Sequence, residues 1–149
     1  TASGPAPAQL RDHVIVVGHG RVGGAICGEL HRAGARCVVI EHEHRVLESL
    51  AAQGITAIEG DAGVPATLEA AGLRGARLLV IAIPDGFQAR RVLEIARATR
   101  PELDVVARAH SEPEVAKLEA LGVSLAVMGE RELAARMAAY ARESLGNVA

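Results

Sequence analysis

Three glycines and one acid carry the spacing in this chain that points to chemistry. Gly18, Gly20 and Gly23 form a G-x-G-x-x-G run, with His19, Arg21 and Val22 between them. The run follows the apolar stretch Val14-Ile15-Val16-Val17 and leads directly into a helical pattern, the order that a dinucleotide-binding loop requires. Gly18 lets the chain leave a strand in a tight turn. Gly20, without a Cβ, lets a pyrophosphate lie against the backbone, and Gly23 lets the following helix pack close to the strand. The free N–H groups and positive dipole end of that helix then face the phosphates. The run alone also fits an ordinary strand–helix turn; the strand before it and the helix after it favour nucleotide binding.

Glu41 stands 18 residues beyond Gly23, at the end of a second apolar run, Cys37 to Ile40. An acid there accepts hydrogen bonds from adenosine ribose hydroxyls and repels a 2′-phosphate, so NAD(H) or an adenine mononucleotide is expected over NADP(H). His42 follows it. The segment Glu41-His42-Glu43-His44 also reads as a metal cluster, but no further Cys or His group completes a site, and a solvated turn is the expectation. Arg21 is placed to touch a phosphate, on its own chain or a neighbour, or to stay in solvent at the helix start. Asp61 and Ala62 follow the third strand, where adenine rests in such folds. Ile83 and Pro84 follow the fourth, at the switch point beside the first. Arg108 ends the fifth strand beside the same crevice, with a structural ion pair as the alternative.

These residues need a sheet to position them, and the chain supplies one. Strands are expected at 14–17, 37–40, 55–59, 78–83, 103–107 and 123–127, and helices at 21–33, 45–53, 65 to about 72, from about 89 to before Pro101, 111–121 and 130–145. Leu78 to Ile83 is apolar at every position, as a strand buried on both faces must be. Ser111 and Glu114 form an S-x-x-E capping box. Strict alternation with short connections predicts one Rossmann-type α/β domain, a doubly wound parallel sheet of six strands in the order 3-2-1-4-5-6. The domain is expected over residues 12–146. Thr1-Ala2-Ser3-Gly4-Pro5-Ala6-Pro7-Ala8 opens residues 1–11, expected as a linker within a longer protein.

Composition narrows the function. The chain is 149 residues long, with a formal charge of -2 and half of its residues hydrophobic. One core is expected, and no basic surface for nucleic acid. Phe87 and Tyr140 are its aromatics, too few for base stacking. No apolar run approaches the ~20 residues that span a bilayer. Cys27 and Cys37 have neither C-x-x-C nor metal spacing and are expected as small core residues in a reducing compartment. An enzyme is not expected. Tyr140 is followed by Ser144 rather than a Lys four residues on, His110 is the only lone candidate base, and no segment remains for a substrate lobe.

The segments Gly18-His19-Gly20-Arg21-Val22-Gly23, Val39-Ile40-Glu41, Gly60-Asp61-Ala62, Ala82-Ile83-Pro84-Asp85-Gly86-Phe87, Ala107-Arg108-Ala109-His110 and Met128-Gly129-Glu130-Arg131-Glu132 together resemble the TrkA-N type domain (KTN, or RCK N-terminal). More narrowly, they resemble the cytosolic C-terminal domain of Kef-like and YbaL-like monovalent cation:proton antiporters, from about His13 to Tyr140. The resemblance implies a regulatory domain that binds NAD(H), AMP or ATP and biases a potassium-type antiporter. It implies a homodimer on the cytoplasmic side of the inner membrane, next to a membrane-embedded part of the same full-length chain. Gly18, Gly20, Gly23, Glu41, Asp61 and Ala62 are then ligand positions, and Arg21 a phosphate contact. The alternatives are the cofactor domain of an NAD-dependent oxidoreductase and a peripheral Trk/Ktr-type gating subunit. The apolar stripe Leu133, Met137 and Tyr140 on the last helix is expected either at the dimer surface or on its own sheet.

Overall fold

A computed structural model describes residues 6–146. Six strands and six helices alternate: β1 (Val14–Val17), α1 (Arg21–Arg32), β2 (Cys37–Glu41), α2 (His44–Ala52), β3 (Thr56–Glu59), α3 (Pro65–Ala70), β4 (Leu78–Ile81), α4 (Gly86–Thr99), β5 (Asp104–Ala109), α5 (Glu112–Ala120), β6 (Leu125–Met128) and α6 (Gly129–Leu145). The strands form one sheet in the order β3-β2-β1-β4-β5-β6, and every neighbouring pair is parallel. The expected order is therefore the observed one.

β1 is central and buried on both faces, as its unbroken apolar sequence demands. Its side chains alternate between two core layers. Ile15 and Val17 join a layer with Leu68, Leu93 and Leu118, contributed by α3, α4 and α5. Val14 and Val16 join a second layer with Cys27 of α1 and Leu50 of α2. The register sets Val17 beside Ile40 and Ile81, so β1, β2 and β4 end within one residue of one another, β2 running on to Glu41. That shared edge receives the functional loops.

Several boundaries differ from expectation for local reasons. β4 leaves the ladder after Ile81 instead of Ile83, because Ile83 turns over the glycine loop, with its Cγ2 2.9 Å from where a Cβ on Gly18 would stand. β6 begins at Leu125 instead of Val123. Just before it, the Ser124 hydroxyl accepts from the Val105 N–H at 2.9 Å, taking the place of a backbone rung.

The expected linker divides. Residues 1–5 lie outside the described residues. Pro7–Gln9 form a 3-10 turn, and Leu10 is buried in the first core layer, so this end of the segment packs on the domain. The fully buried His13 holds it in place, its Nε2 lying 2.8 Å from the Ala71 carbonyl at the end of α3.

The last helix does not pack on its own sheet. No residue of α6 is buried, and Leu133, Met137 and Tyr140 are 61%, 63% and 72% exposed. Of the two settings expected for that stripe, its own sheet is excluded.

Candidate functional site

The ends of β1, β2 and β4 open into a crevice of about 530 Å³. Gly18, His19, Gly20, Arg21, Val22, Glu41, His42, Ala62, Ile83 and Pro84 all line it, as does Arg108 from β5. Ten of the twelve positions expected for a ligand thus meet in one place.

The glycines act differently from one another. Gly18 has φ +90, which ordinary side chains rarely adopt, and its turn carries the chain off β1 under Ile83. A Cβ at Gly20 would meet nothing within 4 Å, because this residue faces the open crevice. Gly23 does not line the crevice. It lets α1 sit against the loop, since a Cβ there would fall inside the Gly18 carbonyl. Gly20 is the N-cap of α1 and offers no side-chain cap, and the first turn holds no acidic residue. The opening N–H groups of α1 therefore lack a side-chain acceptor at the crevice wall, the arrangement that receives an anion.

Glu41 faces them from the end of β2. Its Oε1 accepts the His19 N–H at 3.0 Å, and its Oε2 accepts those of His42 and Glu43 at 2.8 and 3.1 Å. Partial burial alone would raise its pKa, but the N–H groups of His19, Glu43 and His42 outweigh burial and hold the carboxyl below the ordinary value. The acid is thus ionised and fixed in orientation. A carboxylate has roughly four acceptor sites, so about one remains for a ligand hydroxyl.

Asp61 is the other expected position that does not line the crevice. Its Oδ1 accepts the Gly63 N–H at 2.8 Å and a hydrogen bond from the Gln88 amide, so it braces the turn after β3. Arg91 braces the same turn through the Gly63 carbonyl at 2.7 Å. Gln88, Gly60 and Glu43 also line the crevice, beyond the positions expected for a ligand. The signal for Gln88 was its place in the first turn of α4, just after Asp85-Gly86. Arg108 is half-buried and makes no ion pair among the described residues, which leaves its charge directed to the crevice. No group of three or more His, Cys, Asp or Glu residues gathers as a metal site among the described residues.

A six-stranded parallel sheet with a glycine turn, an open helix N-terminus and a strand-end acid at its switch point defines a Rossmann-type fold of the nucleotide-binding class. The family follows from comparison with known proteins. The TrkA-N domain model matches residues 14–129, and the chain belongs to that family. It is 35% identical over 131 residues to the putative cation/proton antiporter YbaL of Escherichia coli, covering 88% of this chain and 24% of that protein. The crystal structure of the TrkA-N domain of YbaL superposes with a TM-score of 0.87 at 34% identity, over 90% of this chain and 99% of that one. The glutathione-regulated potassium-efflux protein KefC of Salmonella arizonae is 32% identical over 133 residues, 89% of this chain and 22% of that protein. A Kef C-terminal domain from Shewanella denitrificans, solved in its AMP-bound form, matches with a TM-score of 0.75 at 29% identity, over 91% of this chain and 82% of that one. The chain therefore spans under a quarter of the length of the YbaL and KefC proteins it matches.

Proposed function

We propose that this chain is the nucleotide-reading regulatory domain of a monovalent cation:proton antiporter of the potassium-efflux type. Its ligand is an adenine nucleotide, AMP, ATP or NAD(H), and its seat is the cytoplasmic side of the inner membrane. One observation carries the reading: the side-chain-uncapped N-terminus of α1 and the oriented Glu41 carboxylate face one crevice, in a chain similar to an AMP-bound Kef domain. The helix end suits phosphate, and the carboxylate suits a ribose hydroxyl while repelling a 2′-phosphate. Gly18, His19, Gly20, Arg21 and Val22 form the phosphate side, Glu41 and His42 the ribose side, Ala62 the adenine side, and Ile83 and Pro84 the far wall. Asp61 and Gly23 act from behind, on the turn after β3 and on the packing of α1. In this reading the domain binds the nucleotide and transmits its presence.

Transmission uses a homodimer. Leu125 is 56% exposed at the edge strand, and Val127 shares its face, because Ala126 and Met128 between them pack on the opposite layer. The stripe on α6 is left exposed among the described residues. Two copies that each lay α6 across the other's edge would bury both surfaces. A ligand that binds one arrangement of the pair more tightly then biases the transporter.

The decisive experiment compares the wild-type chain with Gly20→Val by calorimetry against AMP and NADH. The wild type should bind. The variant should keep its fold, since the site for a Cβ is open, and should give no binding heat. Retained binding would show that the loop does not cradle phosphate. For the dimer, Met137→Glu should halve the mass measured by light scattering; an unchanged mass refutes the α6 interface.

A further inference from the structure

Behind the glycine loop lies a second cavity, of about 390 Å³, between α1 and the start of β2 and β3. Cys27 and Cys37 both line it, with His19, His31 and Arg36 around them. Cys27 projects from α1 and is 5% exposed, whereas Cys37 opens β2 and is half-buried. The two belong to the same core layer and face each other across the packing of α1 on the sheet. We propose that they are a thiol–disulfide pair, in which Cys37 attacks a small disulfide entering this cavity and Cys27 resolves the adduct.

Accessibility decides the order. Only Cys37 is open enough to meet a solute, and only Cys27 stands beside it. The chemistry agrees with the geometry. A hydrogen bond from the Cys27 thiol lowers the Cys37 pKa from 9.0 to about 7, against the opposing effect of burial. The Cys27 thiol is driven upward, first by that hydrogen bond, then by burial and by the Cys37 charge. Cys37 is thus a partly ionised nucleophile at neutral pH, and Cys27 remains a protonated thiol until the adduct forms.

The steps balance. The Cys37 thiolate attacks one sulfur of the small disulfide RSSR, forms Cys37–S–SR and expels RS⁻. Once the adduct has consumed the Cys37 charge, the Cys27 thiol gives up its proton and attacks the Cys37 sulfur. The Cys27–Cys37 disulfide forms and the second thiol leaves. Two protein sulfurs are oxidised, and one RSSR is reduced to two thiols. The product bond fastens α1 to β2, the elements that carry the open helix end and Glu41.

The test treats the reduced chain with bis(2-hydroxyethyl) disulfide, followed by intact mass and peptide mapping. Wild type should end two hydrogens lighter, monomeric in mass under denaturing non-reducing conditions, with Cys27 linked to Cys37. Cys27→Ser should stop with a single hydroxyethylthio adduct on Cys37, and Cys37→Ser should remain unmodified. The wild-type rate should rise with a midpoint near pH 7, not near 9. Wild type arrested at a mixed disulfide, modification of Cys27 in Cys37→Ser, links between chains, or a rate midpoint near the ordinary thiol value would each overturn the proposal.

Discussion

Two neighbouring strands leave the sheet at the same level and turn into helices, yet they make opposite ends. Val17 of β1 and Ile81 of β4 are register partners. After Val17, the chain passes through Gly18, His19 and Gly20 into α1, whose first turn has no side-chain cap. After Ile81 it passes through Pro84 and Asp85 into α4, and the Asp85 carboxylate accepts the N–H groups of Phe87 and Gln88 at 2.9 and 3.3 Å. The second junction satisfies itself and braces the crevice. The first leaves its donors open and takes its order from outside, through the His19 N–H bond to Glu41. A binding end and a structural end thus differ by where one acceptor sits. In α4 it is the cap of its own helix; for the glycine loop it arrives from the next strand.

That contrast is open to direct test. The largest effect should come from Gly23→Ala, because a Cβ there meets the Gly18 backbone and no flexible side chain can yield. Denaturant unfolding should show a loss of about 3 kcal/mol, and an unchanged midpoint would mean that α1 need not pack so close. Next comes Glu41→Ala, which removes the ribose acceptor and the tie on His19; affinity for AMP should fall by about 1.5–3 kcal/mol, read by calorimetry. Equal affinity would remove Glu41 from the site. Asp85→Ala should reverse the pattern. Loss of the cap costs about 1 kcal/mol of stability, and AMP affinity should stay within twofold of wild type. If binding fell as far as in Glu41→Ala, the two junctions would not be separable.

The smallest effect is in pH. The folded pKa of Glu41 lies below its ordinary value of 4.5. Its stabilisation is therefore complete above the unfolded value and is lost as pH falls through the lower folded one. In thermal melts, Glu41→Gln should be less stable than wild type at neutral pH, and the gap should close in acid. A gap constant across that range would assign the difference to packing.

Most of the frame was legible in the chain itself. Six apolar runs alternating with helical stripes determined the sheet and its order, since burial and period are local properties and right-handed crossovers leave few arrangements. The G-x-G-x-x-G spacing and Glu41 located the crevice, because both must stand at strand ends. Asp61 stands after β3 as expected, but its hydrogen bonds to Gly63 and Gln88 depend on how that turn folds against α4, which spacing along the chain does not specify. That Gln88 reaches the crevice depends likewise on where α4 starts relative to β1.

By itself, then, the sequence determined the fold, the glycine turn and the acid facing it, through spacing and hydrophobic pattern along the chain. Only the tertiary structure decided which helix end stayed open, that α6 found no seat on its own sheet, and that Cys27 met Cys37. Those outcomes depend on which groups from distant segments come within hydrogen-bonding or packing distance, and the twist and register of the sheet set that distance.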